Sequence, residues 1–511
     1  MDEKKINLFW NRFLLGASCV VFVIAWISFV YAPFTDAKVF MASANQSNYI
    51  SKNLILGSFK AWELKSVFSR MSMYLIYKIT RIFVPFNTVE FEMLSKFIYS
   101  IFLILGSFLS MKLVVVKKKV ISCTVVVSSM LMAVYAGCQM QAEMTVTVLI
   151  LLAFSLYLNA IKTKRHSGCK LIGAGLLIGS VFYFKSVLIL LSVTVVAAIC
   201  IYLLENHIEF SFKRLMIVVA GSLIALGVVA VLILMINPGE FQDMLDASKF
   251  QKTLLAGEVE LGDILVKFIN NHVERVKYSP VVIVGAVCLL INTLRNVCNK
   301  KYKQIFFRIA MWMMPMLFIA LSNKYFPYHF MVYVFPALIE ICYALAHQNY
   351  WKHIVIAITI VGTVGWYLSG LSIISEDVKT YIECNNQAYV ETEKVLEEIN
   401  FDKTQEVLYL DDGFGAYCLE APSYLKYFFP LPLQRLPEDS QLECYVDALK
   451  KVHEYEGRYI SVYENWFFKG DKYQELKNKI KNEYEYIGSY YGSTPQISGA
   501  VTKKYDLYER K

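Results

Sequence analysis

The sequence predicts an all-α polytopic membrane domain of about eleven transmembrane helices, followed by a small C-terminal extracytoplasmic α/β domain. Three observations carry that prediction. Of the 511 residues, 56% are apolar or aromatic and only 18% are charged, against roughly a quarter charged in ordinary soluble domains. Apolar runs of bilayer-crossing length, about 20 residues, recur between residues 14 and 374. The charge balance then reverses: residues 1–374 carry 34 Lys and Arg against 17 Asp and Glu, and residues 375–511 carry 17 against 25. A basic apolar body suits anionic lipid head groups, while an acidic tail without apolar runs reads as a water-exposed domain. An ordinary soluble enzyme is excluded, and nothing implies nucleic acid.

Taken in order, a short basic start precedes Leu14 to Pro33, too long for the apolar core of a signal peptide and read as an uncleaved anchor. Further apolar segments cover residues 89–113, 120–136, 143–161, 171–184, 187–204, 215–236, 280–294, 306–322, 328–346 and 353–374. The pair around Phe182 to Ser186 also fits one broken helix. With the N-terminus cytoplasmic, the cytoplasmic loops hold Lys117 to Lys119, Lys162, Lys164, Arg165, Lys170, Lys213, Arg214, Arg295, Lys300, Lys301 and Lys303. The opposing short turns hold almost none, which sets the orientation by the positive-inside rule. An odd span count then places residues 375–511 outside, with the loops 35–88 and 237–279. The expected domains are thus 1–374, multi-pass, and 375–511, extracytoplasmic.

In the tail, alternation predicts strands at Glu406–Asp411, Arg458–Glu464, Tyr486–Tyr491 and Val501–Tyr508, with helices at Leu442–Tyr455 and Lys472–Glu485. The eleven cysteines show no metal-type spacing. Cys384, Cys418 and Cys444 in the tail permit at most one internal disulfide, which leaves the compartment open.

Candidate chemistry gathers on the outer side. Asp36 follows the first span, where a half-desolvated carboxylate can serve as a base; alternatively it caps the next helix, with Lys38 as a solvated neighbour. Leu64, Phe68, Met71, Leu75, Ile79 and Ile82 repeat at helical spacing beside Arg70, Tyr74, Lys78 and Arg81, an amphipathic interfacial helix. It either packs and anchors or holds the phosphate of a lipid carrier. Glu143 opens the fourth span and Lys185 closes the fifth; buried charges face a cavity or each other, so they form either a site or a structural ion pair. The turn Lys324-Tyr-Phe-Pro-Tyr-His329 is an interfacial aromatic belt or part of a groove. Asp36, Glu63, Lys65, Glu143, Lys185 and His329 converge on one face from separate segments.

Together these segments resemble the GT-C class of integral-membrane glycosyltransferases, in particular the protein O-mannosyltransferase and aminoarabinose transferase family. Thr35-Asp36 with Phe40-Met-Ala-Ser-Ala resembles the family's first-loop acidic motif, and Trp62-Glu-Leu-Lys65 its Trp-Asp-x-Lys element. Gln141-Ala-Glu143 resembles the Arg-x-Asp/Glu element that opens a span. Gly175-Leu-Leu-Ile-Gly179 with Phe184-Lys185 resembles the Gly-rich span ending in Lys. Phe326-Pro-Tyr-His329 with Phe335-Pro336, Tyr427-Phe-Phe-Pro and Leu507-Tyr-Glu-Arg510 continue the series in family order. Two positions depart from the pattern. Ser66-Val67 stands where the family has Pro-Pro, and Ala37 where an acidic residue neighbours the first-loop Asp, so a lone Asp36 offers a divalent metal less than a carboxylate pair would.

The resemblance implies an inverting transferase that takes sugar from a polyprenyl-phosphate donor to a hydroxyl of a lipid, glycan or protein acceptor. It implies Asp36 as base, Glu143 orienting the acceptor or a lysine, Lys65, Lys185 and Arg70 at the donor phosphate, and Glu63, Tyr328 and His329 along the substrate groove. Whether a divalent metal takes part stays open. A transporter or flippase for lipid-linked or small polar cargo is the main rival, against which stand the one-sided gathering of polar groups and the lack of an internal repeat. A non-catalytic partner whose tail binds cell-wall polymer is a third reading.

Overall fold

The structure is a computed structural model that describes residues 16, 19–31, 35–60, 66–115, 117, 120–132, 140–163, 165–256, 266, 268–272, 280–322, 327–347, 379–425, 433–434, 436, 438–463, 467, 472–496 and 499–511. Among the described residues, six helices are long and apolar enough to cross a membrane: Val89–Val114, Ala142–Lys162, Ser186–Glu205, Phe212–Ile236, Val281–Cys298 and Tyr302–Ala320. Four shorter apolar helices are Cys19–Tyr31, Val120–Met132, Ser167–Tyr183 and His329–Ala344. The expected span at 353–374 lies outside the described residues, so six spanning-length helices are established and the count of about eleven is not. The chain is an integral membrane protein.

In chain order the helices are α1 (Cys19–Tyr31), α2 (Thr35–Ile50), α3 (Leu54–Lys60), α4 (Val67–Thr80), α5 (Val89–Val114), α6 (Val120–Met132), α7 (Ala142–Lys162), α8 (Ser167–Ser180), α9 (Leu191–Glu205), α10 (Phe212–Ile236), α11 (Glu240–Ala256), α12 (Pro280–Cys298), α13 (Tyr302–Ser322) and α14 (Val334–His347). Short 3-10 turns at Val181–Tyr183, Ser186–Leu190 and Pro327–Tyr333 interrupt the series. The chain folds into two compact units. Met1–Ala32, Lys96–Ala230 and Glu260–Ile374 form the first, and Pro33–Ser95, Val231–Val259 and Ser375–Lys511 the second. The loop helices α2 to α4 and α11 therefore share a unit with the C-terminal residues.

The first unit packs apolar helices through small residues. A Cβ on Gly175 would meet the Val218 carbonyl oxygen at 2.1 Å, and one on Gly179 the Ser222 carbonyl at 2.4 Å. The two glycines thus let α8 lie backbone to backbone on α10, where Ser222 Oγ donates to the Gly175 carbonyl at 3.0 Å. Lipid offers helices no hydrophobic drive to associate, so close backbone approach and interhelical hydrogen bonds supply it. A second device is ionic. Arg308 on α13 pairs with Glu340 on α14 and lies 3.6 Å from Glu205 at the end of α9, while Asn292 on α12 donates to Glu340 Oε2 at 2.6 Å. Arg308 and Glu340 are almost wholly buried. Either alone would be a stranded charge, and together they tie four helices.

The second unit carries a four-stranded sheet of order β1-β2-β4-β3, from β1 (Val407–Leu410), β2 (Tyr459–Val462), β3 (Tyr484–Gln496) and β4 (Gly499–Arg510). β1 and β2 are parallel, the other pairs antiparallel. Helices Glu443–Glu454 and Gln474–Glu483 bury Tyr445, Ala448, Val452, Leu476 and Ile480 against Leu408, Leu410, Ile460 and Val462. The expected order of strands and helices is found, with β3 and β4 longer than alternation alone suggested. Cys384, Cys418 and Cys444 are all free thiols.

α2 is stitched to the C-terminal residues along its length. Gln46 donates to the Ala421 carbonyl at 3.0 Å and accepts from the Ser423 amide at 2.8 Å. Lys38, expected as a solvated residue, is instead 2% exposed. Its ammonium donates to Asn385 Oδ1 and to the Ser493 carbonyl and lies 5.2 and 5.5 Å from the ring centres of Tyr381 and Tyr417. Desolvating an ammonium is costly, and carbonyl acceptors with aromatic faces offset that cost.

A buried carboxyl marks the end of β1. Asp411 Oδ2 accepts from Ser461 Oγ at 2.8 Å and Oδ1 from the Gly413 amide at 2.8 Å. A Cβ on Gly415 would come within 1.9 Å of that carboxylate, so only glycine fits there. Burial, then the neighbouring Asp412, pushes Asp411 up to about 7, against the pull of those hydrogen bonds. The native state thus holds this proton more tightly than the unfolded chain, whose Asp titrates near 3.9, so Asp411 lowers stability progressively as pH rises from about 4 to about 7 and adds no slope above. Asp411→Asn is expected to flatten that part of the profile, with the melting temperature of the variant gaining on wild type between pH 5 and pH 8. Parallel profiles would exclude a protonated native Asp411.

Candidate functional site

Glu143 sits in the first turn of α7, after the Gln141 N-cap. Its carboxylate is 1% exposed and accepts from Lys185 Nζ at 2.6 Å. Lys185 occupies one extended residue, φ −166° and ψ 115°, between the two 3-10 turns that break the chain at 181–190. His329, from the Pro327–Tyr333 turn, completes the cluster: its Nε2 lies 3.4 Å from Lys185 Nζ and 3.8 Å from Glu143 Oε1. Phe318 of α13 underlies both, with its ring centre 5.4 Å from the ammonium and 5.6 Å from the imidazole. Thr147 Oγ1, bonded to the Glu143 carbonyl at 2.8 Å and the Met331 carbonyl at 3.4 Å, locks α7 to the turn that carries His329. Tyr99 on α5 donates to Gln141 or Thr145 just beside the acid.

Glu143 and His329 are sealed, at 1% and 3% exposure, whereas the Lys185 side chain is one-third exposed. The ion pair presents its positive end outward and keeps its negative end in the packed interior. An oriented ammonium backed by low-dielectric protein is a strong electrostatic site for an anion. Glu143 and Lys185, read from the sequence as part of a site or as a structural ion pair, are paired, and His329, read as part of an aromatic belt or a groove, joins them.

The remaining candidates fall differently. Asp36 is placed by its backbone in the first turn of α2, in the second unit, and Tyr328 by its backbone in the turn that bears His329; the structure does not describe their side chains. Glu63 and Lys65 lie outside the described residues. Arg70 is not the exposed interfacial cation that a phosphate site requires. Its side chain is wholly buried on α4 and donates to Glu240 Oε1 at 2.7 Å, and Asn237 donates from the same corner to the Phe59 carbonyl at 3.0 Å. Of the face expected to be polar, α4 buries Arg70 and Tyr74, together with Val67, Met73, Ile76 and Tyr77, whereas Lys78 is half-buried, Arg81 is exposed, and Leu75 of the expected apolar stripe is exposed. Ile82, just past its end, is 74% exposed. Phe68, Met71, Leu75, Ile79 and Ile82 all stay at least partly exposed, which suits a helix bordering hydrocarbon.

The Glu205, Arg308 and Glu340 set escaped notice in the sequence, and Lys38 was read there only as a solvated neighbour of Asp36. The set had a usable signal, since Arg308 and Glu340 interrupt apolar runs; Lys38 had none. Among the described residues no three His, Cys, Asp or Glu side chains are grouped to hold a metal.

No family model and no curated protein matches the sequence. Among solved structures, the chain is similar to the crystal structure of ArnT from Cupriavidus metallidurans bound to undecaprenyl phosphate, with a TM-score of 0.52 over 98% of both chains at 9% identity. The archaeal oligosaccharyltransferase AglB from Archaeoglobus fulgidus, in complex with an inhibitory peptide and a dolichol-phosphate, matches at a TM-score of 0.44, with 12% identity over 97% of this chain and 74% of that one. The likeness to ArnT bears out, at the level of fold, the resemblance to the GT-C membrane transferases: the chain has their fold.

Proposed function

We propose that the protein is an inverting glycosyltransferase that moves a sugar from a polyprenyl-phosphate donor to an acceptor hydroxyl at the outer face of the membrane. The observation that carries this reading is the sealed Glu143 and His329 behind a one-third-exposed Lys185, within a fold shared with a protein crystallised with a polyprenyl phosphate. Asp36 takes the proton of the acceptor hydroxyl as its oxygen attacks the anomeric carbon. The bond from that carbon to the phosphate oxygen breaks, and its electron pair leaves on polyprenyl phosphate. Lys185 and Lys65 stabilise the departing charge, so no acid is needed on the leaving side. Glu143 holds the Lys185 ammonium in place with His329 alongside, and Tyr328 and Glu63 are assigned to substrate contact. Arg70 serves the architecture of the second unit, through Glu240.

The test is incubation of the full-length protein in lipid nanodiscs with a panel of radiolabelled polyprenyl-phosphate sugars. Release of polyprenyl phosphate with label passing to an acceptor or to water is the expected result. Flux of donor across liposomes without cleavage would replace this reading by the transporter.

A further inference from the structure

In the second unit a lysine and an asparagine meet in a place closed to water. Lys38, near the start of α2, is 2% exposed, and Asn385, on the helix over residues 379–398, is 4% exposed. Lys38 Nζ donates to Asn385 Oδ1 across 347 positions of sequence. The amide carbon lies about 1.2 Å behind that oxygen, so the hydrogen bond already brings Nζ close to the near-attack range of the carbon, about 3–3.5 Å.

The surroundings hold the pair in place and keep it dry. Nζ also donates to the Ser493 carbonyl at 2.6 Å. Tyr381 stands one helical turn before Asn385, and Tyr417 lies in the short helix Gly415–Leu419; their ring centres are 5.2 and 5.5 Å from Nζ. Glu92, in the first turn of α5, supplies a buried carboxylate to the same cluster: it is 2% exposed and accepts from the Tyr381 hydroxyl. All of these residues belong to the second unit. Burial disfavours charge on the amine and on the carboxylate alike. Passing one proton from Lys38 to Glu92 discharges both and leaves Nζ a nucleophile, as desolvated lysines are elsewhere.

We propose that Lys38 and Asn385 are joined by an intramolecular isopeptide bond that the folded unit forms by itself, with Glu92 as the proton carrier. The Nζ lone pair forms a bond to Asn385 Cγ while the Glu92 carboxyl gives its proton to Oδ1. One Nζ proton then passes to Nδ2. The Cγ–Nδ2 bond breaks with its electron pair on nitrogen, ammonia leaves, and the Oδ1 proton returns to Glu92 as the carbonyl re-forms. An ammonium, a carboxylate and a primary amide thus become a secondary amide, a neutral carboxylic acid and ammonia, with no oxidant or cofactor. The product keeps one N–H on Nζ for the Ser493 carbonyl, and no charge of the pair stays buried.

Such a bond has a structural use here. Cys384, Cys418 and Cys444 are free thiols, so no disulfide among them ties α2 to the C-terminal residues. A covalent tie that closes a loop this long removes more entropy from the unfolded chain than a short one does. The crosslink is independent of sugar transfer, because none of its residues is assigned above to donor or acceptor.

The experiment is peptide mapping by mass spectrometry of the full-length protein, purified folded and then digested with trypsin. The expected product is a branched pair of peptides joined through Lys38 and Asn385, about 17 Da lighter than their sum, the mass of ammonia, with no cut after Lys38. Linear peptides carrying unmodified Lys38 and Asn385 in the wild-type protein overturn the proposal, and this reading needs no variant to fold. Glu92→Gln, nearly the same in shape, is expected to yield the two linear peptides only. A crosslinked Glu92→Gln overturns the role given to Glu92.

Discussion

Replacing Lys185 by methionine is expected to cut sugar transfer by about 10²–10³-fold and to destabilise the protein. The second effect follows from burial. Glu143 is sealed at 1% exposure, and a buried carboxylate stripped of its partner costs about 3–5 kcal/mol, toward the lower end here because Lys185 is itself one-third exposed. Loss of activity in the single variant therefore proves little. The double variant Lys185→Met with Glu143→Gln separates the two effects, because a neutral pair of similar volume restores stability without restoring charge. We expect its melting temperature to return close to wild type and turnover of the polyprenyl-phosphate donor to stay low. Full turnover in the double variant would reduce the pair to architecture and sink the phosphate role of Lys185.

Asp36→Asn is expected to lower turnover by about a hundredfold or more if Asp36 is the base, with donor binding kept. Asparagine caps a helix about as well as aspartate, so the substitution leaves any capping role of this first-turn residue of α2 intact and removes only the basic oxygen. Single-turnover rates with preloaded donor read the chemical step, and a melting curve checks the fold. Unchanged rates would leave Asp36 as a cap.

The ends of elements were readable from local pattern. The run beginning at residue 143 is α7, which starts at Ala142, and the ambiguity at Phe182 to Ser186 corresponds to a real break, where Lys185 is extended between two 3-10 turns. Gly175 and Gly179, read as a family feature, have a packing cause in the close approach of α10. The amphipathic stripe of α4 was visible, but not which face the unit would bury. A hydrophobic face turns inward in water and outward in lipid, and the sequence carries the stripe without the solvent that decides its direction.

The sequence by itself determined the apolar helices, the strand and helix order of the C-terminal sheet, and the types of charged residue available, because hydropathy and alternation are properties of neighbours along the chain. Only the tertiary structure decided which charges meet. Lys38 finds Asn385 and Ser493, Arg70 finds Glu240, and His329 joins Glu143 and Lys185, across separations that no local pattern encodes. Pairing in a low-dielectric interior depends on a few ångströms of distance, and that distance is set by how whole helices pack.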